Sequence, residues 1–309
     1  MDVSGGCATP HEGLVQLVHR CMAQLTAAER RVARVFLAAY PIAGLENVAQ
    51  LAERAGVSGP TVVRFATKLG FAGYSELQEA LRNEVQEKLA SALSQYADEQ
   101  PPDGDGIVPL SLQVFRAELE RTFAAVSQNE LDCVVDLLAD ARHEVLCTGG
   151  RFSQILAFYL FAHLNMMRPR CRYIVAAPTP RWDELVDVGK RTVLVVFDYR
   201  RYQNSTIEFS QRAREKGAQI VLFTDPWLSP VAAHARFVLT ATVRAPSPFD
   251  SLVPALALVE AVVAGLAVKL GPQARPRIAE LERLRAGTTW GEVELGLKDA
   301  PTSAGQIEG

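Results

Sequence analysis

The sequence has no basic surplus. Its 32 lysines and arginines are outnumbered by 35 aspartates and glutamates, for a formal net charge of −3. This excludes nucleic-acid binding through a chain-wide basic footprint, so any such contact has to come from a local patch. Cysteine is sparse. Cys7, Cys21, Cys133, Cys147 and Cys171 form no C-x-x-C pair, and His11, His19, His143, His163 and His234 are scattered. That spacing speaks against a disulfide framework and a structural zinc site, and predicts reduced, incidental thiols in the cytoplasm. No metal or cofactor is expected. The opening run MDVSGGCATPHEG lacks a basic region followed by an apolar one, so no secretory leader is expected. The most apolar stretch, residues 252–270, contains Pro254, Glu260 and Lys269. It reads as the buried helix of a strand-helix domain, not as a membrane span. No internal repeat is found.

What is present is material for two packed cores. The 309 residues are 49% hydrophobic and 22% charged, and that length suits two domains. Helical spacing fills the N-terminal part. Residues 14–25 form one helix, and Thr26 with Glu29 makes a capping box that opens a second, carrying Val32, Val35, Phe36 and Ala39 inward. A third, over residues 47–55, stops at Gly56. Ser75 with Gln78 reads as another capping box, launching a helix to about residue 93. The acidic, Pro/Gly-rich run DEQPPDGDGIV, residues 98–108, is the one convincing linker. Beyond it, helices over 112–126 and 130–139 precede short apolar runs at 144–148, 172–176, 192–197, 219–223 and 237–240. Between these lie helices over 153–167 and 205–216, and further helices follow over 249–270 and 276–285. Such alternation predicts a doubly wound parallel sheet. The domains are therefore placed at 10–95 (all-α), 96–110 (linker), 111–286 (α/β) and 287–309 (tail).

The segment NVAQLAERAGVSGPTVVRFATKL, residues 47–69, has the form helix, short turn, helix. Ser58 stands as N-cap and Pro60 in the first turn. Val62, Phe65, Ala66 and Leu69 share one side of the second helix; Thr61, Arg64 and Lys68 are expected on the other. A packing face backed by a hydroxyl and two cations is what a major-groove recognition helix needs. Composition alone does not separate this from an ordinary amphipathic helix with a solvated face, because residues 1–90 hold nine basic and nine acidic side chains.

A family pattern separates them. The run VAQLAERAGVSGPTVVRFATKLGFAGYSELQEAL resembles the N-terminal domain of RpiR-type regulators at Val57, Ser58, Thr61, Val62, Arg64, Phe65, Leu69, Gly70, Phe71, Gly73, Tyr74 and Leu77. The resemblance implies that Ser58, Thr61, Arg64 and Lys68 face DNA. Gly59 stands where the family usually has a larger residue.

In an open parallel sheet, ligands bind beyond the carboxyl ends of the strands, where strand order reverses. The first apolar strand ends in Gly149, Gly150, Arg151, Phe152 and Ser153, a loop that could present backbone N–H groups and a helix start to an anion. The third ends in Asp198, Tyr199, Arg200, Arg201, Tyr202, Gln203, Asn204, Ser205 and Thr206. The two loops are expected to face each other. Candidate ligand-binding residues are Gly149, Gly150, Arg151, Ser153, Asp198, Arg200, Arg201, Ser205 and Thr206. Against this, the glycines could serve turn geometry alone. Asp198 could pair with Arg200 or Arg151, and the arginines could line a subunit contact. Ser247 and Ser251 read as helix caps or as pocket-closing residues.

Residues 125–268 resemble the sugar isomerase (SIS) domain, the usual C-terminal partner in RpiR-type regulators, with REKGAQIVLFTDPWLSPVAAHARFVL matching its later strands. The resemblance implies a five-stranded parallel sheet, phosphosugar ligands and dimeric or tetrameric assembly. One departure stands out: phosphosugar-binding SIS domains carry Ser-x-Ser-Gly-x-Thr after the third strand, where this chain reads DYRRYQNST. The expectation is a homodimeric or homotetrameric regulator that binds a palindromic operator and senses a small anionic metabolite, phosphosugar or other acid. A sugar-phosphate isomerase needs a general acid and base over the pocket, and His143 and His163 are not placed there. No catalytic residue is assigned. The other alternative is a DNA-binding protein whose SIS-like domain only oligomerises.

Overall fold

The computed structural model describes residues 13–89, 106–175 and 182–285. Its first unit is all-helical: α1 (Leu14–Cys21), α2 (Ala27–Ala38), α3 (Ile42–Leu45), α4 (Val48–Ala55), α5 (Gly59–Lys68) and α6 (Tyr74–Leu89). The Thr26–Glu29 capping box is made in both directions, satisfying N–H groups that would otherwise be orphaned. Asn47 and Gln50 form a second one, unforeseen in the sequence. Gly56 ends α4 at φ 62°, in the left-handed region that glycine enters without steric cost. The core is one cluster, with Val32, Phe36, Leu51, Val62, Phe65, Leu69, Leu77 and Leu81 fully buried.

The Ser75–Gln78 capping box is corrected. Helix α6 starts at Tyr74, so Ser75 is already helical, and Gln78 Nε2 donates to the Glu46 carbonyl at 2.7 Å. Tyr74 Oη reaches the same carbonyl at 3.0 Å, and together they pin the α3–α4 corner. Cys21 is disulfide-bonded, so the reading of all five thiols as reduced is also corrected.

The second unit runs α7 (Ile107–Ala125), α8 (Gln128–Ala139), β1 (Glu144–Gly149), α9 (Gln154–Met167), β2 (Cys171–Tyr173), β3 (Thr192–Phe197), α10 (Asn204–Glu215), β4 (Gln219–Thr224), β5 (Phe237–Thr240) and α11 (Val253–Arg285). Residues 107–110, expected in the linker, form the first turn of α7. The rest of that linker from 96 to 105, and the tail, lie outside the described residues. The five strands are all parallel in the order β2-β1-β3-β4-β5. Val193, Val195 and Phe197 of β3 pack on one face with α8, α9 and α11, while Leu194 and Val196 pack on the other with α10. Burial on both faces explains why β3 reads as a continuous apolar run. The two helices expected over 249–270 and 276–285 are joined, with a break at Gly271. Although α11 is long and apolar enough to cross a membrane, Leu258, Val259, Val262 and Leu266 are buried in the sheet's core.

Candidate functional site

Two places gather the candidate residues. The first is α5, packed against α2 and α4 through fully buried Val62, Phe65, Ala66 and Leu69. Its opposite stripe is Pro60, Val63, Arg64 and Thr67, all exposed. These stand at i, i+3, i+4 and i+7, one face of a helix. Arg64 and the exposed Ser58 are therefore where the sequence reading put them.

Thr61 and Lys68 are not on that stripe. Thr61 is only 5% exposed, and its hydroxyl is bonded to Ser58 Oγ at 3.1 Å and accepts from Arg64 at 3.1 Å. Ser58 occupies the N-cap position but makes no side-chain cap bond, because its hydroxyl is turned to Thr61. Lys68 is drawn sideways: Nζ lies 2.8 Å from Glu29 Oε2 and 3.2 Å from the Gln24 carbonyl. Glu29 is buried, which pushes its carboxyl upward, yet Lys68 and the Thr26 bonds outweigh this and hold it below the usual range. The expectation overlooked Val63 and Thr67, although their spacing from Pro60 and Arg64 was legible. It also missed Glu29, whose contact with Lys68 spans 39 residues.

The second place is the carboxyl edge of the sheet. Strand β1 lies between β2 and β3, so the order reverses there and the loops after β1 and β3 meet. Gly149 is required by packing: a Cβ would sit 2.8–2.9 Å from the Ser153 and Gln154 backbone. The Gly150 N–H donates to the Phe197 carbonyl at 2.9 Å and to Ser153 Oγ at 3.0 Å. Ser153 Oγ in turn donates to the Phe197 carbonyl at 2.6 Å. Loop donors that could have met an anion are thus turned onto β3.

Asp198 is 1% exposed. It accepts from Ser229 Oγ and, at 3.5 Å, from the Gln203 N–H. Burial raises its pKa to about 6, opposed by those two bonds and reinforced by Asp225. Asp225, at the end of β4, is fully buried and accepts from the Arg200 N–H at 2.6 Å, Tyr202 Oη at 2.7 Å and the Trp227 N–H at 3.0 Å. Its carboxyl is also pushed upward, chiefly by burial. Through its guanidinium, Arg200 meets the carboxylate of Asp250, not the Asp198 that the sequence offered. Its Nε lies 3.0 Å from both oxygens of Asp250, and its guanidinium stacks 4.7 Å from the Trp227 ring centre. Arg151 and Arg201 are exposed, Ser205 is half-buried in the first turn of α10, and Thr206 is buried.

Gly149, Gly150, Ser153 and Asp198 are therefore brought together at the β1/β3 edge, Gly150 and Ser153 bonded to the Phe197 carbonyl and Asp198 to Ser229 and Gln203, while Arg151 and Arg201 are exposed. Asp225, Ser229 and Asp250 were not anticipated. Extending the strand-end logic from β1 and β3 to β4 would have found the first two. Ser251 Oγ accepts from the Val253 N–H at 3.1 Å, the capping alternative. His143 lies at the opposite edge, 3.2 Å from Gln219 Nε2, and His163 packs at a tilt against Tyr159 within α9, ring centres 4.7 Å apart.

Comparison with known proteins agrees with both halves of this layout. Residues 12–88 match the helix-turn-helix domain of the rpiR family, and residues 137–265 match the SIS domain. An uncharacterised helix-turn-helix transcriptional regulator of Providencia stuartii, in the aarA 3' region, is 32% identical over 44% of this chain. That alignment spans about half of the relative's length, 48%. The transcriptional regulator HexR of Pseudomonas aeruginosa is 25% identical over 88% of this chain and 95% of its own. Among solved structures, the Vibrio vulnificus NanR protein complexed with ManNAc-6P shares the fold, with a TM-score of 0.50 and 19% identity, covering 90% of this chain and 100% of that one. The chain thus joins a helix-turn-helix domain of the rpiR family to a SIS domain built on five parallel strands.

Proposed function

We propose that this chain is a cytoplasmic transcriptional regulator, not an enzyme. It binds a palindromic operator as a homodimer or homotetramer, and its SIS-like domain senses a small anionic metabolite that alters operator affinity. The observation that carries the reading is the outward stripe of α5, a recognition helix held on a buried core with Arg64 exposed. Ser58 and Arg64 are the DNA-facing members of the predicted set; Thr61 orients Arg64, and Lys68 fixes the helix to α2. The effector site is the β1/β3 edge. Gly149, Gly150, Ser153, Asp198, Thr206 and Arg200 frame it, and Arg151, Arg201 and Ser205 offer polar groups at its mouth. A phosphosugar is one candidate, supported by the ManNAc-6P bound to the NanR neighbour; an acid without phosphate is the other, supported by the missing hydroxyl motif. Ligand preference for one arrangement of the oligomer would change half-site spacing and so DNA affinity.

The test is selection of binding sites from random duplex DNA by the full chain, followed by titration. Arg64→Ala should weaken the selected site by about 10- to 100-fold, as loss of a bidentate base contact does. Failure to enrich any sequence would overturn the regulator reading. Calorimetry with phosphosugars and sugar acids then identifies the effector class. Unchanged affinity in Arg151→Ala/Arg201→Ala would remove the arginines from the site, and turnover of a phosphosugar would restore the isomerase alternative.

A further inference from the structure

The exposed stripe of α5 is poor in hydrogen-bonding groups. Pro60 has no N–H and no polar side chain. Val63 is 39% exposed, a large hydrophobic side chain at the centre of the stripe. Thr67 has spent its hydroxyl on the Val63 carbonyl, at 3.0 Å. Lys68, the second cation of the helix, is held at Glu29 and the Gln24 carbonyl. Arg64 supplies the stripe's charge.

A helix that only gripped phosphates would present donors along its outer face. This one presents carbon beside one guanidinium. In the major groove the one apolar group on a base edge is the 5-methyl of thymine, while guanine offers the paired acceptors that suit arginine. Val63 and Arg64 are consecutive, so their side chains diverge along the same stripe and can meet neighbouring base pairs. Resting on the reading of α5 as a recognition helix, we propose that Val63 is a specificity residue that reads the methyl group of a thymine next to the base contacted by Arg64. The operator half-site is then distinguished by a carbon contact as much as by a hydrogen bond.

Substituting uracil for thymine removes that methyl and leaves base pairing unchanged, which makes the contact testable atom by atom. Operator DNA selected by the full chain is resynthesised with uracil at each thymine in turn within one half-site. Binding is measured by fluorescence anisotropy for the wild type and Val63→Ala. Val63 is outside the core and alanine favours helix, so the variant should melt at the wild-type temperature. The expected result is one thymine whose replacement weakens wild-type binding by about three- to five-fold, the scale of one buried methyl group. That penalty should vanish in Val63→Ala, which binds the thymine and uracil forms alike. If uracil is tolerated at every position, or the penalty survives in Val63→Ala, the proposal is overturned while the regulator reading stands. If no sequence is enriched at the selection step, the regulator reading itself has failed and the proposal with it.

Discussion

Helix α5 and the sheet edge differ in how much of their polar side chain they leave outward. On α5 the packed face is closed by Val62, Phe65, Ala66 and Leu69, which leaves Arg64 facing outward, while Thr61 and Lys68 at its flanks are drawn to partners. At the sheet edge the core reaches the strand ends, and three polar residues there are drawn in and met by neighbours: Asp198 by Ser229, Asp225 by Tyr202 and two backbone N–H groups, Arg200 by Asp250. Buried polar groups without partners are costly, so residues placed beneath loops acquire partners that a surface helix does not require. Hence periodicity placed the packed face of α5 and Arg64 opposite it, but neither its flanking side chains, Thr61 and Lys68, nor those of the strand-end loops.

The largest effect should come from cutting either core. Phe65 and Phe197 are each fully buried, in separate clusters. Phe65→Ala should cost about 3–5 kcal/mol and lower only the N-terminal unfolding transition; Phe197→Ala should do the converse. Calorimetry checks this, and one shared transition moving in both variants would mean that the two regions are not independent folding units.

A pH series probes the inward-turned site. Asp198 titrates near 6 in the folded chain, against an ordinary 3.8. Well below pH 4 it is protonated in both states. As pH rises through that window the unfolded chain releases the proton first, so stability is lost, by about 2–3 kcal/mol once the folded carboxyl ionises. Asp198→Asn, which still accepts from Ser229, should match the wild type near pH 4 and melt higher than it above pH 7. A pH-independent difference would show that the carboxylate stays ionised and is open to a ligand.

The smallest effect concerns Lys68. Lys68→Ala should lower stability by about 1–2 kcal/mol, since it leaves the carboxylate of buried Glu29 with fewer partners. It should leave the slope of log Kd against log salt concentration unchanged. A slope reduced by about one unit would make Lys68 a phosphate contact and bring it back to the outward set.

Much of this was legible early. Helix order, the Thr26–Glu29 box, the Gly56 stop, the five strands and the meeting of the β1 and β3 loops follow from periodicities and end signals that act within a few residues. Less legible was what required two distant segments. Ser75–Gln78 has the local form of a cap, but Gln78 has a better partner in the Glu46 carbonyl. Lys68 has the spacing of an exposed cation, but α2 brings a buried carboxylate beneath it. Arg200 reads as an anion clamp until Asp250, fifty residues on, takes its guanidinium.

The sequence by itself determined the two units, their secondary structure, which face of α5 packs, and which strand ends meet, because hydrophobic period and backbone capping are local. Only the tertiary structure decided which polar side chains remain available. A side chain's partner is whichever group the packed core leaves within about 3 Å, and that proximity is set by burial of the whole domain rather than by spacing along the chain.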